Sequence, residues 1–336
     1  MKKALILGGT GTMGAYLTAH LLECGYTVDA FTMDEVTSDD PNLRYIKKNA
    51  KDIAEVKEYL KNGYDAMIDF MHYATDEFKE RYDLYLSSVG RYIALSSYRV
   101  YNDAKKPLTE ECSRLLETSL DEELKASDDY AIAKCRLEDI LHASDKKNWT
   151  ILRPTLVYGP PRINIVTLVS NAIMHRALNN KKLLLPIETK DKINTMIWGG
   201  DVAKLIRRLI ENPDCAGEIY TVGSSETHTW EEIAKMYNKI LGLEVEWIPN
   251  EDFLSVVSGG RNTLPARWML DYDRMFNRCV DNTKILKATG MQQSDLMPLY
   301  DGLKLVCAEV MKFAKEKYGE VDWLNEQMDK YTDSHK

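Results

Sequence analysis

Ala4–Leu7 is a short apolar run that stops at Gly8-Gly9-Thr10-Gly11-Thr12-Met13-Gly14. Gly8, Gly11 and Gly14 fall three apart, and Tyr16, Leu17, Leu21 and Leu22 follow at helical spacing. Gly25 closes that helix, and Tyr26–Met33 reads as a second strand. Strand, glycine turn, helix and strand form the unit that builds parallel sheet. The first glycine permits a tight turn, the second lets backbone approach a pyrophosphate, and the third lets helix pack on strand. The helix start then offers free N–H groups and a positive partial charge to that anion. A dinucleotide is the expected ligand of Gly8, Thr10, Gly11, Thr12, Met13 and Gly14.

The alternation continues. Arg44–Lys47, Ala66–Met71, Tyr92–Ser97 and Thr150–Leu152 with Val157 read as strands. Ile53–Leu60, Phe78–Val89 and Ser127–Ala143 read as helices, and a polar loop runs through Lys105 and Pro107. The expected fold is α/β, a Rossmann-type doubly wound parallel sheet with a smaller C-terminal substrate domain. Past Pro160-Pro161 the pattern loosens. Ile163–Leu178 reads as helix, Leu183–Leu185 as an apolar run, Trp230–Leu241 and Leu299–Lys317 as helices, and the polar tail from Tyr318 is expected to fray. Residues 1–162 and 195–226 are assigned to the dinucleotide domain, and 163–194 and 227–336 to the substrate region.

Thr32 stands where the second strand ends, and Asp34 follows two residues later, placed to hold a ribose diol. Asp29 is read as solvated within the strand. Thr32 to Ser38 contains no Arg or Lys to welcome a 2′-phosphate, so NAD is favoured over NADP, with Arg44 the contact that would reverse this. Asn49 and Asp52 could hydrogen-bond adenine or cap the next helix.

Lys plus Arg number 44 against 52 Asp plus Glu, a net charge of −8, which makes nucleic acid a poor default partner. The six cysteines form no C-x-x-C pair and the six histidines no H-x-x-H spacing, so reduced thiols are expected and a metal site is not. Met1-Lys2-Lys3 precedes only four apolar residues, too few for a signal sequence, and no run approaches the ~20 residues that span a bilayer. A cytoplasmic address without membrane contact is the expectation.

Tyr130 and Lys134 stand four apart on one helix face. A nearby ammonium favours phenolate, which would make Tyr130 an acid/base group. Ser97 ends the strand Ile93-Ala94-Leu95-Ser96, where loops of a parallel sheet converge on a ligand. Together with Ser96–Tyr101, Leu152-Arg153-Pro154, Val157–Pro160, Gly200-Asp201-Val202-Ala203, Ile219–Gly223 and Asp281–Lys284, these residues resemble the short-chain dehydrogenase/reductase family in its extended branch of NAD-dependent epimerases and dehydratases. The resemblance implies that Tyr130 moves a proton at a substrate hydroxyl while NAD takes or returns hydride. It also implies that Ser97 is the catalytic serine and that Lys134 holds the nicotinamide ribose and lowers the Tyr130 pKa. Ser96 is read as structural.

Several positions depart from that pattern. Tyr98 and Arg99 replace the Asp-Glu pair of the sugar 4,6-dehydratases, and Tyr98 also replaces a Cys found in epimerase-reductases. Leu156 and Asn194 stand where the branch often has an Asn and an Arg for the substrate diphosphate. Met71-His72 replaces a small pair at the nicotinamide end, which makes Met71 a cofactor contact and His72 either a packed residue or an extra acid or base. Arg261, Arg267, Arg274 and Arg278 could supply phosphate contacts, although surface or salt-bridge roles are the simpler reading. The favoured activity is NAD-dependent oxidoreduction at a hydroxyl carbon by a nucleotide-sugar epimerase. The alternatives are a dehydrogenase or reductase on another small molecule, and a non-catalytic relative that keeps NAD and binds RNA or protein.

Tyr82, Tyr85 and Leu137 look surplus to the sheet, and relatives of this type pair the two helices concerned, so a homodimer is expected.

Overall fold

The computed structural model describes residues 2–103 and 106–335; Met1 and Lys105, named above, lie outside them. Strands β1 (Lys3–Leu7), β2 (Thr27–Thr32), β3 (Leu43–Lys47), β4 (Tyr64–Asp69), β5 (Val89–Leu95) and β6 (Trp149–Pro154) join the Glu218–Val222 strand in one sheet. The order across it is Glu218–Val222, β6, β5, β4, β1, β2, β3, and every pairing is parallel. Parallel strands are covered on both faces, so their sequences are continuous apolar runs. Ala4 to Leu7 and Ala66 to Ile68 are wholly buried. The order reverses between β1 and β4, and ligands of such sheets bind at the carboxyl ends there.

Helix α1 (Thr12–Glu23) packs against the Gly199–Glu211 helix on one face of the sheet. The apolar stripe of Val202, Leu205, Ile206 and Leu209 is the buried face of that covering helix. On the other face, Phe78–Val89 is not one helix. It breaks into Thr75–Lys79 and Tyr82–Ser88, and Val89 already belongs to β5. The break surrounds Arg81, which is buried with its guanidinium 4.2 Å from the Tyr73 ring centre and its Nε donating to the Glu77 carbonyl. Tyr85 and Leu137 are buried in the chain's own core and so are not surplus.

A second apolar cluster gathers Trp230, Tyr237, Leu303 and Val306 around the paired strands Leu183–Pro186 and Val245–Ile248. The first part of 163–178 is a small hairpin, Asn164–Ile165 with Leu168–Val169, and helix begins only at Ser170. Val166, at φ 50°, makes the turn, and the Arg274 Nε donates to its carbonyl at 2.6 Å. The tail forms a helix, Trp323–Ser334, instead of fraying. Asp322 caps it, Met328 is fully buried, and Asp329 pairs with the buried Arg176 at 2.6 Å.

Among the described residues no helix is long and apolar enough to cross a membrane, and no cluster of His, Cys, Asp or Glu could hold a metal ion. All six cysteines are unpaired.

Candidate active site

The glycine turn runs from the end of β1 into α1. Gly8 has φ 89°, a conformation that L side chains rarely adopt. Gly9 N donates to the Phe31 carbonyl at 2.8 Å, tying the turn to β2. A Cβ on Gly14 would lie 2.0 Å from the Gly8 carbonyl oxygen, so only glycine lets α1 come this close. The first N–H groups of α1, at Thr12, Met13 and Gly14, are left to meet an anion.

A cavity of about 410 Å³ opens beside the turn, lined by Gly8, Thr10, Gly11, Thr12, Thr32, Asp34, Asn49 and Met71. The Thr10 hydroxyl donates to Asp34 Oδ2 at 2.6 Å and accepts from the Thr32 hydroxyl at 2.6 Å, while Asp34 N donates to Thr32 Oγ1. This fixes a carboxylate on the cavity rim. Phe31, Lys48, Ala50, Pro161 and Arg162 line it as well and were missed in the sequence. The strand ends after Phe31 and before Lys48 were the available signal.

Asp52 does not line the cavity. It caps helix α2 (Ile53–Leu60) by accepting from Ala54 N and Glu55 N. Arg44 pairs with Asp29 and stacks on Tyr59, so it is not free for a phosphate. Asp29 is buried and paired rather than solvated, also accepting from Tyr64.

A second cavity, of about 570 Å³, continues past Gly8, Gly11, Thr12, Met13 and Gly14 to Ser97, Tyr98, Arg99, Tyr130, Thr155, Asn164 and Arg274. Gly8, Gly11, Thr12 and Arg162 belong to both cavities. The two cavities and the helix end between them thus fit a dinucleotide, with Asp34 at one end and Tyr130 at the other.

Ser97 is buried in extended backbone after β5, where its hydroxyl accepts from Arg99 N. That hydroxyl is close enough to the Tyr130 phenol to favour its ionised form. Tyr130 opens the helix Tyr130–Ala143, capped by Asp129. Burial pushes the phenol above its ordinary range, and Arg99, then Ser97 and Arg162, pull it back. Lys134 is fully buried, and its Nζ donates to the Leu95 carbonyl at 2.5 Å and the Met71 carbonyl at 3.3 Å. Burial pushes its pKa down to about 8 against the pull of Asp69 and Glu138. With the ammonium turned to carbonyls, the cation that most favours Tyr130 phenolate is Arg99, not Lys134.

His72 is exposed, not packed in the core, and its ring centre lies 5.1 Å from that of Tyr130. Ser96 bonds Glu138, which also pairs with Arg153, a buried structural network. Arg267 makes a surface pair with Glu251, whereas Arg274 and Arg278 are buried against Asp273.

The fold is similar to several solved structures. One is dTDP-glucose 4,6-dehydratase from Bacillus anthracis in complex with NAD, at a TM-score of 0.71 and 16% identity over 94% of this chain and 98% of that one. Another is UDP-glucuronic acid 4-epimerase from Bacillus cereus in complex with UDP-glucuronic acid and NAD, at a TM-score of 0.66 and 16% identity over 93% and 99%. In sequence, the chain is 26% identical over 304 residues to the chloroplast stem-loop binding protein of 41 kDa b from Arabidopsis thaliana, covering 84% of this chain and 73% of that protein. The pattern of one family matches residues 4–223, the whole sheet with its glycine turn and Tyr130 helix. The chain therefore belongs to the NAD dependent epimerase/dehydratase family.

Proposed function

We propose that the protein is an NAD-dependent enzyme that oxidises and re-reduces a hydroxyl-bearing carbon of a nucleotide sugar, acting as an epimerase. The observation that carries this reading is the pairing of Ser97 and Tyr130 in the wall of a substrate-sized cavity that continues from the glycine turn, with the Lys134 Nζ behind them, 5.7 Å from the Tyr130 ring centre. Gly8 to Gly14, Thr10, Thr32 and Asp34 would hold the dinucleotide, and Lys134 its nicotinamide ribose. NAD, when bound, supplies a hydride acceptor and donor. Tyr130, with Ser97 beside it, takes the hydroxyl proton as the carbon is oxidised and returns it on reduction. Asp34 on the cavity rim repels a 2′-phosphate, which favours NAD over NADP.

Dehydration is the weaker chemistry for this cavity. Tyr98 donates to Asn194 Oδ1 at 3.2 Å, Arg99 is a cation, and no carboxylate of the described residues lines the cavity to serve an elimination. Incubation with NAD and a panel of UDP- and dTDP-hexoses, followed by chromatography of the sugars, tests the reading. Interconversion of epimers that Tyr130→Phe abolishes supports it. Consumption of added NAD with net oxidation would favour a simple dehydrogenase.

A second reading has one observation of its own, the 26% likeness to a chloroplast stem-loop binding protein. Fluorescence anisotropy with a labelled stem-loop RNA separates the two. Micromolar binding by a chain without epimerase activity would replace the enzyme reading. The unpaired cysteines suit a reducing compartment, in keeping with a cytoplasmic address. A homodimer through the helices at 75–88 and 130–143 would have the half-buried Tyr82, Leu84 and Ile140 to build on. Sedimentation at micromolar concentration reads that state.

A further inference from the structure

The larger cavity is lined by three arginines, Arg99, Arg162 and Arg274, and by no Asp, Glu or Lys of the described residues. Behind that wall lie Arg278 and two carboxylates, Asp129 and Asp273. Four guanidiniums thus stand against two carboxylates, which only three of them reach. Asp273 serves three of them, with Arg278 Nε at 2.9 Å, Arg274 in close contact, and Arg99 Nε at 3.7 Å. Asp129 lies 3.7 Å from Arg99 but also accepts from Ala131 N as a helix cap. Arg162 meets no carboxylate of the described residues; its Nε donates to Asn164 Oδ1 at 3.0 Å.

The four are not equally engaged. Arg274 donates to the Val166 carbonyl, the Tyr98 hydroxyl and Asp273. Arg278 donates to the Tyr101 and Tyr272 carbonyls and Asp273. Arg99 is 9% exposed, its Nε has no hydrogen-bond partner, and both its ion pairs are long. The Thr155 hydroxyl, in the same cavity wall, is also buried without a partner. A buried guanidinium so weakly paired carries a desolvation cost that a close oxyanion would offset. The Arg99 guanidinium lies 5.2 Å from the Tyr130 ring centre, so an anion that pairs with it stands next to the reacting hydroxyl.

We infer that the substrate carries a carboxylate or phosphate group close to the hydroxyl that Tyr130 serves, received by Arg99 and Arg162. The inference rests on the proposed role of Tyr130 and narrows its substrate class to acidic sugars. A guanidinium fork suits either oxyanion, through paired N–H donors. Arg99 stands against the Tyr130 ring, whereas an anion at the glycine turn would meet the first N–H groups of α1.

Calorimetric titration of the NAD-loaded protein tests it with matched probes. UDP-glucuronic acid is compared with UDP-glucose, and free glucuronate and glucose 6-phosphate are each compared with glucose. The acidic probe is expected to bind on the order of tenfold more tightly than its neutral match. Whichever of glucuronate and glucose 6-phosphate shows the gain identifies carboxylate or phosphate. Arg99→Gln should bring each pair to parity, and Arg99→Lys, which keeps the charge, should retain part of the preference. Equal binding within every pair, or a preference undiminished in Arg99→Gln, overturns the inference and leaves the nucleotide-sugar reading standing. Binding of the free acids with neither UDP sugar overturns that reading and leaves the inference standing.

Discussion

The Arg99 guanidinium lies 5.2 Å from the centre of the Tyr130 ring, while the Lys134 ammonium lies 5.7 Å away and is spent on two backbone carbonyls. Arg99 is therefore the cation that does most to ease loss of the Tyr130 proton, against the larger effect of burial. Burial holds the phenol above its ordinary range, so phenolate is scarce at neutral pH and grows as pH rises. A step in which Tyr130 accepts a proton should speed up from neutral to alkaline pH. Arg99→Gln removes the stabilising charge, and the rising limb should move to higher pH. Tyr130→Phe should cost on the order of 10²–10⁴-fold in kcat with little change in thermal stability. A pH–rate profile of Arg99→Gln that superimposes on the wild type would remove Arg99 from this role.

Gly11 and Gly14 should fail differently when given a methyl group. A Cβ on Gly14 meets the Gly8 oxygen at 2.0 Å and the Gly9 backbone at 2.9 Å, so the turn itself must shift. A Cβ on Gly11 meets nothing nearer than the Gly8 oxygen at 3.5 Å, an ordinary contact, but it stands where a pyrophosphate would approach. Gly14→Ala should lower both Tm and NAD affinity. Gly11→Ala should lower NAD affinity alone. Equal loss of Tm in both variants would show that Gly11 is held by packing.

The sheet was legible because strands covered on both faces are unbroken apolar runs, as in Ala4–Leu7, and because the glycine spacing marks where the first one turns. The helix from Ser127 was legible to within three residues, its start fixed by the Asp129 cap. Phe78–Val89 misled because its aromatic stripe continues across a break, which exists to bury Arg81 against Tyr73. The arginines of the site were not legible as a group. Arg99, Arg162 and Arg274 are far apart in sequence, and only the hairpin turn at Val166 brings the last two to one wall. Asp52 could be read equally as adenine contact or cap, and local geometry made it a cap.

The polar tail offers a third test. Met328 is fully buried under a helix whose other faces are charged, and Arg176, 2% exposed, depends on Asp329 from the same helix. Met328→Ala should cost ~2–5 kcal/mol of unfolding free energy, read by urea denaturation. A cost near zero would mean that this helix does not hold its place in solution.

The last test concerns pH and the stability of the fold. Lys134 is pushed down to about 8 by burial, whereas an exposed lysine in the unfolded chain titrates near 10.4. Below pH 8 both states carry the proton, and the cost of burying the ammonium is present in full. Between pH 8 and about 10.4 the unfolded chain holds a proton that the folded protein has released, so this group makes stability rise with pH across that window. Buried tyrosines such as Tyr92, whose phenols are raised far above their usual range, act in the opposite direction, but only above about pH 10. Those groups are shared by the wild type and Lys134→Met, so they cancel in the difference between the two. The unfolding free energy of the wild type minus that of the variant, measured without NAD, should be flat below pH 8. It should then grow by on the order of 2–3 kcal/mol by pH 10. A difference that stays flat to pH 10 would show that the Leu95 and Met71 carbonyls keep the ammonium charged, and that Lys134 enters catalysis as a permanent cation.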